Sequence, residues 1–286
     1  MQAGARAAAT LAGFRLLREI GRGAFSTVYL AEQSSSGQLV ALKVVPLPAG
    51  PGLANASSQF LAAVRTASTL QHPHIVAIYD AGIDNTHAWL SMEAVPGTDL
   101  VRYTRPPRLL PEGLVLRLCA RLAAALAHAH QQGLVHRDLK PANVLVNWAG
   151  DAVKLADFGL ARARDAAHTD TGIVMGTPSY MAPEQLAGAV PSASSDIYAL
   201  GVMLFELLTG QLPHQAQNMG ELLRQVAQLS APDLRSLRPL APPELADLLA
   251  GMLNKSPARR PGDASVLATR LSALSLASPL AGAMSR

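Results

Sequence analysis

The stretch that most constrains this chain is Val135-His136-Arg137-Asp138-Leu139-Lys140-Pro141-Ala142-Asn143. It sets an acid, basic side chains and a carboxamide close together, with apolar residues before it (Gly133–Val135) and after it (Val144–Val146). Pro141 forbids a regular helix and pushes Lys140 towards extended backbone. The pattern predicts a rigid polar loop between two short strands. Asp138 can accept a proton from a hydroxyl, the Asn143 carbonyl oxygen suits a hard cation, and Lys140 can neutralise an anion.

A chain of 286 residues that is 49% hydrophobic can form one large domain or two lobes with a full core. The net charge is +4, mostly from arginine, and no basic run is dense enough for a nucleic-acid arm. The single cysteine, Cys119, cannot form an intrachain disulfide, which fits a reducing, cytoplasmic compartment; in its apolar helical run it reads as a small buried residue. Residues 197–208 are apolar but hold Glu206 and follow Asp196, so they predict a buried helix and no membrane span.

Residues 1–12 read as a disordered lead-in. Phe14–Ile20 and Phe25–Ala31 predict strands around Gly21-Arg22-Gly23-Ala24-Phe25-Ser26, a turn whose backbone N–H groups can approach phosphate oxygens. Its strand on each side, with Val28 following, suits a lid over a nucleotide rather than a turn that opens a helix. Lys43 is the only charge in the apolar strand Gln38–Pro46 and needs an anionic partner if buried. Leu47–Ala56 reads as a mobile connection, and Ser58–Leu70 as a helix with Phe60, Leu61, Val64 and Ala67 on one face. Ile75–Gly82 and His87–Ala94 predict further strands. Helices follow at Glu112–Gln132, Ser192–Thr209, Met219–Leu229, Pro243–Met252 and Asp263–Leu274. Between them, Val153–Ala156 leads into Asp157-Phe158-Gly159, an acid at a strand end beside a packed hinge. Leu160–Glu184 lacks periodicity and reads as flexible, and residues 275–286 read as a frayed tail.

These motifs, in this order, resemble those of the eukaryotic-type protein kinases, Ser/Thr branch, with the texture of the bacterial members. The resemblance covers about Phe14 to Leu274. It implies an α+β, bilobal fold: a small antiparallel-sheet lobe with one main helix (13–95), and a larger, mainly helical lobe (96–274), with ATP in the cleft. It implies that Asp138, Lys140 and Lys43 are catalytic, and that Asn143 and Asp157 hold Mg²⁺, or Mn²⁺. Gly21, Gly23, Val28, Ala41 and Lys43 would contact the nucleotide from the sheet. Met92 would flank the adenine, the Glu93 and Val95 backbone would bond its edge, and Leu145 would lie against it. Thr169 and Thr171 match paired threonines of a phosphorylated activation segment, with Arg137 as the phosphate's partner. Thr177, Glu184, Asp196 and Arg260 match structural positions: Thr177 near Asp138, Asp196 under the catalytic loop, and Arg260 paired with Glu184.

The implied partners are protein substrates bearing Ser or Thr, with a dimer through the small lobe left open, and no nucleic acid. Two departures stand out: Ser26 replaces a third glycine, and the helix glutamate that pairs with the strand lysine falls on Ala63. No Asp or Glu occurs between Glu32 and Asp80, so a shift of register supplies no substitute. The sequence therefore predicts a Lys43–Asp157 pair without nucleotide. It leaves open a nucleotide-binding pseudokinase. A small-molecule phosphotransferase is disfavoured by Gly176-Thr177-Pro178 and Ala182-Pro183-Glu184, which suit peptide docking.

Overall fold

A computed structural model describes residues 10–23, 26–47, 52–84, 87–158 and 178–278. These divide into two compact units, residues 10–71 with 76–96, and residues 72–75 with 97–158 and 178–278.

The first unit is an antiparallel sheet of β1 (Thr10–Leu11), β2 (Phe14–Arg22), β3 (Thr27–Gln33), β4 (Leu39–Pro46), β5 (Ile78–Asp84) and β6 (His87–Glu93) in the order β1-β2-β3-β4-β6-β5. Alternation along the strands separates its faces. Phe14, Ala31, Val40 and Leu42 are buried together with Val44 and Trp89 against them, and the Phe14 and Trp89 rings lie 5.3 Å apart. Ala41 and Lys43 fall on the opposite face by the same alternation. Helix α1 (Leu53–Ala67) packs on β5 and β6 and buries Ala56, Phe60, Val64 and Ala67.

Several boundaries differ from the sequence reading. Thr10 and Leu11 pair with Arg15 and Phe14, so ordered structure begins inside the expected lead-in. Helix α1 starts at Leu53, within the stretch read as a mobile connection. Leucine and alanine are strong helix formers, and an Asn55–Gln59 side-chain bond of 3.1 Å supports the first turn. Leu61 is only half-buried, and Ala56 takes its place in the apolar stripe. Strand β5 begins at Ile78, because Ile75 instead makes a parallel bridge to Leu155 in the second unit.

The second unit is built on two long helices, α2 (Glu112–Gln131) and α4 (Ala193–Thr209), which pack together. A three-stranded sheet of β7 (Thr98–Asp99), β8 (Val144–Asn147) and β9 (Ala152–Leu155) carries the polar loop into β8. No strand forms at residues 133–135, and Pro141–Asn143 is a single 3₁₀ turn opened by the proline. Gly97 makes the junction to β7 tight: its φ is 156°, and a Cβ there would come within 2.0 Å of the Val146 carbonyl oxygen. The short helix α3 (Pro183–Leu186) precedes α4. Helices α5 (Met219–Gln228), α6 (Leu234–Leu237), α7 (Pro243–Met252) and α8 (Ala264–Ala277) complete the unit. Helix α8 runs along α2 and past the expected end of the domain. Ser278 is buried beyond it, its hydroxyl 3.1 Å from Glu112 Oε1, so the tail read as frayed is ordered to that point. No described helix is long and apolar enough to cross a membrane. Cys119 is wholly buried in α2, and burial pushes its thiol up to about 12.

Candidate active site

The polar loop is closed by its own side chains. Lys140 Nζ donates to both carboxylate oxygens of Asp138, at 3.0 and 2.9 Å. Asn143 Nδ2 donates to the Asp138 carbonyl at 2.7 Å. That acceptor fixes the amide's orientation and leaves Oδ1 as its oxygen-donor face. The Ala156 N–H donates to the Asn143 carbonyl at 2.8 Å, which puts the residue before Asp157 against the end of the loop. Asn143 and Asp157 thus lie on linked strand ends and offer hard oxygen donors of the kind Mg²⁺ takes.

The loop is held from below by Asp196, which is 1% exposed near the start of α4. Its carboxylate accepts from the His136 N–H at 2.8 Å and the Arg137 N–H at 2.9 Å, and His130 Nε2 lies 2.8 Å away. Arg137 has φ of 72°, a left-handed conformation uncommon for this residue. Two consecutive N–H groups bound to one buried carboxylate offset that strain. His136, itself fully buried, links the loop to the strand end beyond it. Its Nδ1 accepts from the Asp138 N–H at 3.3 Å, which leaves Nε2 to donate to the Ala156 carbonyl at 2.9 Å. The Phe158 ring packs edge-on against it, 4.7 Å between centroids. Asp157 also has positive φ, 67°, which aspartate tolerates better than most residues.

In the first unit the nucleotide residues expected from the sequence share one sheet face. Lys43 is cross-strand to Val28 and Leu90, Val28 to Gly21, and Ala41 to Met92. Lys43 is only 7% exposed. The Gly23 N–H donates to the Ser26 carbonyl at 2.8 Å and closes the turn, whose Ala24 and Phe25 lie outside the described residues. The Glu93 N–H donates to Ala77 O at 2.9 Å. Val95 follows β6, and Leu145 is half-buried on β8, cross-strand to Asp99. Helix α1 carries no acid, and Ala63 is half-exposed between Phe60 and Val64.

Residues 14–271 match the family model described as "Protein kinase domain". The chain belongs to the protein kinase family. It is 35% identical over 251 residues to serine/threonine-protein kinase PrkC of Bacillus subtilis, covering 86% of this chain and 38% of that protein. It is 38% identical over 270 residues to serine/threonine-protein kinase pkn2 of Myxococcus xanthus (91% and 32%), and 38% over 249 residues to PknD of Mycobacterium tuberculosis (86% and 37%). The chain spans about a third of the length of these curated relatives. Its sheet unit is the small lobe of the kinase fold, and its helical unit the large one.

The large lobe of this kinase also carries a buried ion pair. Arg260 donates from both terminal nitrogens to Glu184, each bond 2.7 Å long. Its remaining donors reach the carbonyls of Ser194, Asn254 and Lys255, so all five guanidinium hydrogens are used, and the Tyr198 ring lies 4.9 Å beneath. Burial raises the Glu184 carboxyl, but Arg260 and the Ser195 hydroxyl at 2.9 Å outweigh it and hold the group below the ordinary carboxylate range. Gln185, next to Glu184, ties this pair to the His136–Asn143 loop by donating to the Arg137 carbonyl at 3.4 Å. Gly159, Thr169, Thr171 and Thr177 lie outside the described residues. His130 and His136 had no role in the sequence reading. The signal for His130 was one of two imidazoles, with His128, near the end of an apolar helix, which reads equally well as packing.

Proposed function

We propose that this kinase transfers the γ-phosphoryl group of ATP to serine or threonine hydroxyls of protein substrates in the cytoplasm. The observation that carries the reading is the loop geometry: a nearly buried Asp138 fixed at its backbone by His136 and Asn143, with Lys140 on its carboxylate. Phosphoryl transfer asks the protein mainly for positioning and charge neutralisation. Asp138 orients the acceptor hydroxyl and takes its proton. Lys140, already beside that carboxylate, meets charge on the transferred group. Lys43 contacts the α- and β-phosphates. Met92 flanks the adenine, with the Glu93 carbonyl and Val95 N–H on its edge, and Gly21, Gly23, Val28, Ala41 and Leu145 form the surrounding walls. Asn143 Oδ1 and the Asp157 carboxylate would hold Mg²⁺. When bound, that ion neutralises phosphate charge.

The names of the relatives support the Ser/Thr assignment. Arg137 beside the acid supports control by phosphate on Thr169 or Thr171. Mass spectrometry of protein made with and without a co-expressed phosphatase tests that control; active enzyme modified at neither threonine removes it. The acid-free α1 favours a second reading, a pseudokinase that binds nucleotide without transfer.

The deciding experiment is transfer from radiolabelled ATP to a generic protein substrate, with nucleotide binding measured in parallel. Asp138→Asn should lower kcat by about two orders of magnitude or more while nucleotide binding persists. Near wild-type turnover in that variant removes Asp138 from the mechanism. Binding without transfer in the parent protein selects the pseudokinase.

A further inference from the structure

The large lobe contains a charged groove that the transfer chemistry does not use. A cavity of about 670 Å³ is lined by Arg102, Arg105 and Arg108 together with Ser179, Tyr180 and Glu206. Arg102, Arg105 and Arg108 recur at a spacing of three in Val-Arg-Tyr-Thr-Arg-Pro-Pro-Arg, and all are exposed. Among the described residues none of them forms a salt bridge. Glu206 is the one acid among the described lining residues. Its Oε2 accepts the Tyr180 hydroxyl proton at 2.6 Å, and the positive charge of Arg105 opposes its own. Three cations against one occupied carboxylate leave the cavity positive. Gly210 brings the arginine segment close to the end of α4: its φ is 74°, and a Cβ there would meet Pro106 at 2.7 Å.

The cavity is not isolated. A second, of about 940 Å³, shares Arg105, Pro106, Ser179 and Glu206 and continues along Gln211, Gln215 and Asn218. A cationic end opening into an amide-rich trough suits an extended peptide better than a small anion. Its wall at Tyr180 is close in chain to Gln185, whose amide bonds the carbonyl preceding Asp138. Five residues of chain span at most about 17 Å, which an extended peptide of similar length also covers.

We propose that Arg102, Arg105 and Arg108 select substrates whose acceptor hydroxyl lies within a few residues of acidic side chains, with the acidic segment seated in this groove. The proposal rests on the kinase reading above, and its test separates the two. Three synthetic peptides carry one Ser flanked by Glu, by Gln or by Lys. Each is assayed for transfer and, by fluorescence anisotropy, for binding to wild type and to the triple variant R102E/R105E/R108E. These exposed positions are remote from the core, and ATP binding by the variant should match wild type. The Glu peptide should exceed the Gln peptide about tenfold in kcat/KM, chiefly through KM, and lose affinity as salt rises. The triple variant should prefer the Lys peptide. Equal use of all three peptides by wild type, or a preference for Glu that survives the triple change, overturns the proposal. If no peptide is phosphorylated, the kinase reading fails, and anisotropy still decides the groove. Glu-peptide binding that the triple variant abolishes supports it, and no binding by wild type overturns it.

Discussion

The acid pairs of the large lobe and helix α1 of the small lobe solve the same problem in opposite ways. In the large lobe the described polar groups that fix the His136–Asn143 loop are matched. Asp196 is buried with three donors around it, and Arg260 is buried with all its N–H groups placed. In α1 the buried stripe Ala56, Phe60, Val64 and Ala67 is apolar. Gln59, one turn before Ala63 and beside that stripe, buries an Oε1 that has no hydrogen-bond partner among the described residues. One lobe is over-determined by directional bonds; the other holds its helix by non-directional packing. Geometry fixed by many bonds survives without ligand, whereas a helix held by packing alone can shift at low cost.

The comparison breaks first at the buried pair. Arg260→Ala leaves Glu184 partly buried beside an empty site and frees three carbonyls, and should cost about 3–5 kcal/mol in urea unfolding. A cost below about 1 kcal/mol would show that the large lobe is not held in this way.

Acid titration sharpens it. His72, packed 5.4 Å from His74 and 5.3 Å from His128, is lowered to about 4 by burial, then by the charges of His74, His128 and Lys154. A base whose folded pKa is depressed stays neutral in the native state while the unfolded chain takes up a proton. Stability should therefore be full above the unfolded value of about 6.5 and fall as pH drops from there towards 4. Glu184 acts in a separate window. Its folded carboxyl is lowered, so its contribution is present above the ordinary carboxylate pKa and is lost only as pH falls through the lower folded value. Melting curves from pH 7 down to about 2 should show a first decline below 6.5, reduced in His72→Gln, and a second at more acid pH that Arg260→Ala removes. A profile that His72→Gln leaves unchanged would assign the first decline elsewhere.

In the small lobe, Gln59→Leu removes the unmatched buried oxygen and should raise stability by about 1 kcal/mol, read by the same unfolding curves. A loss of stability would mean that this oxygen is satisfied in solution.

The parts legible in the sequence were those whose chemistry is local. The loop from His136 to Asn143 and the long helices α2 and α4 follow from spacing and periodicity over short windows. What stayed hidden depends on distance along the chain. His130 meets Asp196 across 66 residues, and His136 reaches Ala156 across 20. The arginines read as scattered, yet a loop packed against Gly210 lines three of them along one cavity. Helix boundaries shifted for a different reason. Leu53 joins α1 and Ala277 joins α8 because neighbouring packing and side-chain bonds extend them, and no periodicity marks that.

The central claim, that this kinase is fixed in its large lobe and under-tied at α1, is tested most directly by Ala63→Glu. The single quantity is kcat for transfer to protein at saturating ATP. An acid at position 63 should tie α1 to Lys43 and raise kcat several-fold, about 1 kcal/mol of barrier. An unchanged kcat in a parent enzyme that already turns over rapidly would contradict it, because Lys43 would then be positioned without any help from the helix.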